Sequence, residues 1–299
     1  MPAAQVASAQ IIMRLSTLSA TRGGTAASLA AVERVRSLSS FAGADSDWKQ
    51  QFQAKSSLKQ AHPSKRLVIL RHGQAQHNPR AEAARENGCD FDEFLRLMEE
   101  DDALDATLTQ LGEDQARNAG ESAARAGSPL SRAIQTADLV LPPSPNHERK
   151  CVEDFREING KLLNAKRLPS SELQGKFGHW CFENIPEQDE SWTPDLESRD
   201  ACGQRGYSGL AWILQQHAEN VLLCCHGGLL SYTLNSNEKV VLIDSRDAHE
   251  RERCITKRFG NCEMREFIAT AWQHESGGGE VPHVITLEEV SFSSPVGEL

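Results

Sequence analysis

Apolar residues in this chain fall in short continuous runs, separated by polar stretches whose own apolar positions recur at helical spacing. Two runs have unusual endings. Leu67-Val68-Ile69-Leu70 passes directly into Arg71-His72-Gly73-Gln74, and Val221 to Cys225 passes into His226-Gly227-Gly228. Runs this short and apolar predict strands covered on both faces. Further strands are predicted at Cys151 to Phe155, Val240 to Ile243, Glu263 to Trp272 and Val281 to Val290, with Gly277-Gly278-Gly279 linking the last two.

Helical spacing predicts the other layer. Pro79 to Glu100 reads as a charged loop followed by a short amphipathic helix carrying Phe91, Phe94, Leu95 and Met98. Thr109 is the expected N-cap of a helix reaching about Ala124. Leu130 to Val140 forms the next, stopped by Pro142, Pro143 and Pro145. Gly206 to His217 and Gly228 to Leu234 follow, and Trp48 to Leu58 reads as helical ahead of the first strand; residues 161 to 200 are poor in periodicity and loop-rich, with amphipathic patches near Glu172 to Phe177. Arg156 to Gly160 is a turn. No repeat of solenoid length is present. Strands alternating with helices predict an α/β three-layer sandwich, with a mostly parallel central sheet covered by helices on both faces. In such sheets ligands bind outside the carboxyl ends of the strands, where both His-Gly pairs fall.

The chain has 299 residues, enough for one large domain or two small ones, and its 39% hydrophobic and 25% charged content is an ordinary soluble composition. No apolar run approaches the ~20 residues of a membrane span. A formal net charge of -10 argues against broad binding to nucleic acid or anionic membrane, while leaving room for a local cationic pocket. None of the eight cysteines forms a C-x-x-C pair, so free thiols are expected rather than zinc ligands or disulfides. Cys224 and Cys225 should point to opposite faces of their strand as small core residues. Residues 1–64 are set apart as an extension. Up to Phe41 it has one acid, Glu33, against Arg14, Arg22, Arg34 and Arg36, the composition of a plastid or mitochondrial transit peptide. The alternative is an extension without an address, which leaves the protein cytoplasmic. Residues 65–292 are the expected catalytic domain and 293–299 a short tail.

Five segments then occur in order: Arg71-His72-Gly73; Leu108-Thr109-x-x-Gly112-x-x-Gln115-Ala116; Ser128-Pro129-Leu130-Ser131-Arg132-Ala133-x-Gln135-Thr136-Ala137; Arg156-Glu157; and His226-Gly227. The set, spanning about residues 66 to 272, resembles the histidine phosphatase superfamily with its phosphoglycerate mutase-like fold. The resemblance implies that His72 accepts the phosphoryl group, that Arg71, Arg132 and His226 form the phosphate pocket, and that Glu157 donates the proton. Asn78 matches a pocket asparagine of some relatives, and Asn261-Cys262-Glu263 matches either a pocket-side segment or a plain strand start. The chemistry agrees with these assignments. Arg71 and Arg132 offer planar forks that suit phosphate. A neutral imidazole can split one displacement into two. Gly73 and Gly227 would let backbone approach the phosphate, and the helix opened by Gly227-Gly228 favours anions. Glu153, Asp154 and Glu183 are acids that could replace Glu157. No metal and no cofactor is required, because fixed cations neutralise the phosphate.

Two departures from the family pattern matter. Ala124-Arg125-Ala126-Gly127 runs straight into Ser128, about ten residues short of the usual strand and its connection, so a strand is expected to be missing there or rebuilt. Gln74-Ala75-Gln76-His77 replaces the Glu-Ser or Glu-Thr and the tryptophan of mutase-type relatives. The expected function is therefore a metal-independent phosphomonoesterase acting on a small phosphorylated metabolite. The alternatives are a phosphoglycerate mutase and an inactive phospho-ligand binder.

Overall fold

The computed structural model describes residues 58–118, 125–143, 148–244, 258–274 and 284–293. The strands are β1 (Leu58–Gln60), β2 (Lys65–Arg71), β3 (Arg125–Gly127), β4 (Arg149–Cys151), β5 (Asn220–Cys225), β6 (Val240–Asp244), β7 (Met264–His274) and β8 (Val284–Ser293). The helices are α1 (Pro79–Glu86), α2 (Phe91–Glu100), α3 (Gln110–Asn118), α4 (Ser131–Val140), α5 (Ser170–Lys176), α6 (Arg199–Gln215) and α7 (Gly227–Asn235).

All eight strands form one sheet in the order β4-β3-β5-β2-β7-β8-β6, with β1 also on β7. Side-chain alternation divides the core between the two faces. Leu67, Ile69, Val221, Leu223 and Cys225 pack with Tyr207, Leu210 and Ile213 of α6 and with α7. Leu70, Leu222 and Cys224 pack on the opposite face against Ala133, Ile134 and Ala137 of α4 and Leu173 of α5. Cys224 and Cys225 thus point apart as expected, and the seven described cysteines are free thiols. The three-layer architecture follows from this two-sided burial.

The sheet is mixed rather than mostly parallel. The half β4-β3-β5-β2 is parallel, but β7 runs antiparallel to β2, β8 and β1. Only residues 275–283 separate β7 from β8, fewer than a parallel crossover needs, so these two strands pair as a hairpin. The strand expected to be missing before Ser128 is present, shortened to Arg125–Gly127 and paired on both sides with β4 and β5. The Ser128 N–H then continues to the Cys224 carbonyl at 3.1 Å.

Other boundaries shift. β1 lies inside the span set apart as an extension, so the sheet begins before residue 65. Residues 48–57 of the expected first helix lie outside the described residues, as do 119–124 of the helix after Thr109. Pro79 starts a helix rather than a loop, as its fixed φ suits a first helical turn. The strand foreseen at Cys151 to Phe155 lies at Arg149–Cys151, and Glu153–Phe155 is a 3₁₀ turn.

Thr109 and its neighbours clamp the first motif. Thr109 Oγ1 accepts from the Gly112 N–H at 3.0 Å and donates to Gln74 Oε1 at 2.9 Å, while Gln115 Oε1 accepts from the Gln74 N–H at 2.9 Å. Backbones touch here: a Cβ on Gly112 would lie 2.0 Å from the Gln74 carbonyl oxygen, and one on Gly73 would lie 2.5 Å from that of Gly112. Gly112→Ala must push these backbones apart. We expect it to cost on the order of 3 kcal/mol in urea unfolding, and a loss of a few tenths would refute this packing account.

Candidate active site

Parallel pairing of β2 with β5 brings the two His-Gly segments together. Arg71 and Cys225 are the last residues in register, and the His72 N–H donates to the Cys225 carbonyl at 3.0 Å. The next residue on each strand is therefore histidine at the same level. The rings of His72 and His226 lie 4.9 Å apart, centroid to centroid. His72 Nδ1 lies 2.6 Å from the Gly73 carbonyl oxygen. A carbonyl only accepts, so Nδ1 carries the proton and Nε2 keeps its lone pair.

Arg132 reaches the same place from α4. Asp105 holds that helix's first turn from another loop, accepting from Ser131 N–H at 2.9 Å and Oγ at 2.7 Å. Arg132 is fully buried, and its Nη1 donates to the Asn164 carbonyl at 2.8 Å. Its Nε and Nη2, both ring nitrogens of His226, and Arg71 Nε are buried without a hydrogen-bond partner among the described residues. Unsatisfied buried donors in such number are uncommon, and they cluster around the paired imidazoles. Burial pulls the Arg132 guanidinium down to about 10, with Glu157 and Asp105 opposing the fall. The remainder of Arg71 is anchored: Nη1 donates to the Phe259 carbonyl at 2.9 Å and Nη2 pairs with Glu82.

Glu157 caps α7. Its carboxylate accepts from the N–H groups of Gly228 at 3.1 Å, Leu229 at 2.9 Å and Ile158 at 2.8 Å. Burial pushes its pKa up, but Arg258 and those amides outweigh burial and hold it below the usual value. The amino end of α7, expected to face an anion, thus faces the protein's own carboxylate. A Cβ on Gly228 would meet Glu157 Oε1 at 2.4 Å, which makes glycine necessary there. Glu157 lines the same cavity as His72, Arg71 and Asn78. Glu153, Asp154 and Glu183 line a different one.

The glycines act differently from the sequence expectation. Gly73 donates its N–H to Thr136 Oγ1 at 3.1 Å, and its missing side chain makes room for Gly112. Gly227 leaves space for two guanidiniums, since its Cβ would lie 3.1 Å from both Arg71 Nε and Arg258 Nε. Asn78 staples the turn, accepting from the Ala75 N–H at 2.9 Å and donating to Glu82 Oε1 at 3.1 Å. Asn261 donates to the other Glu82 oxygen at 2.9 Å, so its segment is a site-side turn leading into β7.

Sequence reasoning missed His77, Glu82, Arg85 and Arg258, all on the cavity wall. Their only signal was charge in stretches that read as solvated surface. Residues 79–100 and 161–200 supply the outer wall, including Phe94, Met98 and Leu162. Among the described residues no group of three His, Cys, Asp or Glu side chains could hold a metal ion. No described helix is long and apolar enough to cross a membrane.

The three buried histidines set an acid limit on stability. Burial, then Arg132, pushes each of His72, His77 and His226 well below the ordinary imidazole value. The unfolded chain therefore binds protons near pH 6.5 that the folded chain refuses. Stability is complete above that range and falls as pH drops through it. At pH 5.5 the loss relative to pH 7.5 should be on the order of 1 kcal/mol for each ring that stays neutral in the folded chain. Urea midpoints at the two pH values measure it, and a flat profile would contradict the buried neutral assignment.

Comparison with known proteins gives the chain's relatives and its family. A probable phosphoglycerate mutase, PMU1 of Saccharomyces cerevisiae, is 28% identical over 233 residues, covering 64% of this chain and 78% of the relative. Among solved structures, a putative alpha-ribazole-5'-P phosphatase from Escherichia coli K-12 is 19% identical, with TM-score 0.43, covering 79% of this chain and 99% of that one. A phosphoserine phosphatase from Entamoeba histolytica, in complex with 3-phosphoglyceric acid, is 19% identical, with TM-score 0.38, covering 68% and 90%. Residues 67–257 match the family described as the histidine phosphatase superfamily, branch 1, and the chain belongs to that superfamily.

Proposed function

We propose that the protein is a metal-independent phosphomonoesterase working through a phosphohistidine. The observation that carries this reading is the 4.9 Å His72–His226 pair beside the unpartnered Arg132 fork. In the first step the His72 Nε2 lone pair attacks phosphorus and the P–O bond to the leaving group breaks. Glu157 gives its proton to the departing alkoxide. In the second step Glu157 takes a proton from water, the hydroxide oxygen bonds to phosphorus, and the P–N bond returns its pair to His72. Arg71, Arg132 and His226 hold the equatorial oxygens, and the guanidiniums supply the charge that a metal ion would otherwise bring. Glu157 rests as a carboxylate; an arriving phosphate dianion adds negative charge beside it and raises its proton affinity, so it takes up a proton from solvent as the substrate binds and gives that proton to the alkoxide.

Glu157→Gln tests the proton donor. Turnover of an alkyl phosphate should fall about 10²- to 10³-fold, and that of 4-nitrophenyl phosphate, whose leaving group needs no proton, far less. Equal losses on both esters would exclude Glu157 from that role.

A phosphoglycerate mutase is the second reading, favoured by the named yeast relative. Incubation with 3-phosphoglycerate separates the two: inorganic phosphate supports hydrolysis and the 2-isomer supports the mutase. A pure binding protein would give neither, and the intact β3–Ser128 connection that places α4 weighs against it.

A further inference from the structure

His77 lies in the turn between β2 and α1, and its ring lines the cavity beside His72, Asn78 and Glu157. It is only 3% exposed. Its Nδ1 is buried without a hydrogen-bond partner, and no group among the described residues bonds its Nε2. The turn itself is closed. The Ala75 N–H donates to Asn78 Oδ1 at 2.9 Å, the Asn78 N–H to the Ala75 carbonyl at 3.1 Å, and the Gln76 N–H to the Thr107 carbonyl at 3.0 Å. The backbone therefore fixes where the ring sits, while no described hydrogen bond uses the ring. The charges of Arg132 and Arg71 act on it, and it acts in turn on His72 and His226, so it stands among the groups of the phosphate pocket. A polar ring buried there without a partner bears the cost of desolvation with nothing in the described chain to offset it.

We propose that His77 is a third imidazole of the phosphate pocket, donating from Nε2 to a non-bridging oxygen of the bound phosphoryl group. This deepens the phosphatase reading of the same site and rests on it. With Nδ1 sealed away, Nε2 is the ring nitrogen left to meet a ligand. The oxygens of a phosphate dianion only accept, so a bound phosphate selects the tautomer with its proton on Nε2. The lone pair then falls on Nδ1, where a buried acceptor left unpaired is better tolerated than a buried N–H. The Gly73 carbonyl holds His72 in the opposite tautomer, so one ring can attack phosphorus while the other holds an oxygen. Burial and the two guanidiniums keep the His77 ring neutral in the free site. It thus supplies a fixed donor without a further charge to desolvate, and its hydrogen bond should strengthen as charge builds on the equatorial oxygens.

The test uses the full chain with His77→Phe, which keeps an apolar ring of similar size, and His77→Gln, which keeps a side-chain N–H. By calorimetry, inorganic phosphate should bind His77→Phe about ten-fold more weakly, and kcat/KM for 4-nitrophenyl phosphate should fall about 10²-fold. His77→Gln should recover part of both. Urea midpoints at pH 7.5 show whether each variant folds. In the unmodified chain, with histidine labelled by nitrogen-15, the His77 imidazole N–H signal should move downfield when phosphate is added. Phosphate affinity within two-fold in a folded His77→Phe overturns the assignment. Equal losses in the Phe and Gln variants do the same, because the ring would then act by its volume alone. If His77→Phe does not fold, the signal decides, and a His77 resonance indifferent to phosphate overturns the contact. Phosphate binding that depends on His77 in a chain that hydrolyses no ester leaves the contact standing and removes the phosphatase reading instead. Full hydrolysis and normal phosphate affinity in His77→Phe remove the contact and leave that reading intact.

Discussion

His72→Ala is expected to lower turnover of an aryl phosphate by at least about 10⁴-fold while leaving phosphate affinity within a few-fold of the unmodified chain. The contrast follows from the site's division of labour. His72 holds its proton on Nδ1 through the Gly73 carbonyl and offers Nε2 to phosphorus. Removing the ring removes the only step that breaks the ester bond, but Arg71, Arg132 and His226 stay to bind the anion. Rapid alkaline quenching of the unmodified chain with labelled ester should also trap an alkali-stable, acid-labile phosphoryl group on this residue. Residual activity within ten-fold in His72→Ala, or a label on another residue, would end the phosphohistidine account. Unfolding should not confound the substitution. The ring donates its side-chain hydrogen bond to a neighbouring carbonyl rather than to an acid, and removing a buried group that refuses a proton should relieve the acid sensitivity of stability.

Much of this arrangement was legible in the chain because it depends on local pattern. The runs before His72 and before His226 are apolar on both faces, so they had to be interior strands. Parallel pairing of two such strands puts the residues after them side by side. The Thr109, Gly112 and Gln115 spacing predicts a helix start, and the structure uses each of the three against Gln74 or its neighbours. What was not legible depends on tertiary partners. β3 is Arg125-Ala126-Gly127 where a strand signal needs branched residues, and only hydrogen bonding from β4 and β5 on either side makes it one. The β7–β8 hairpin could have been read from its short glycine-rich connection, since a parallel crossover cannot be that brief. Arg258 and Arg85 look like surface charge by composition. Only the placement of Gly227 and Phe94 beside them makes them cavity residues. Asp105 has no sequence mark at all, because its role is to cap a helix that begins twenty-six residues later.

Arg132→Lys should lose what His72→Ala keeps. We expect kcat/KM to fall about 10²- to 10³-fold and inorganic phosphate to bind roughly a hundred-fold more weakly. Charge is conserved in this substitution, so the loss measures geometry. The arginine presents Nε and Nη2 as an open fork while Nη1 is fixed to the Asn164 carbonyl. A lysine ammonium can reach either the carbonyl or the phosphate, not both in that plane. Burial already lowers the Arg132 guanidinium, and an ammonium in the same place would shed its proton far more readily. The lysine variant should therefore lose more activity at pH 8.5 than at pH 6.5, whereas the arginine enzyme holds its charge across both. Near-normal phosphate affinity in Arg132→Lys would mean that the buried fork is a structural tie to Asn164 alone. The phosphate would then have to be held by Arg71 and His226 without it.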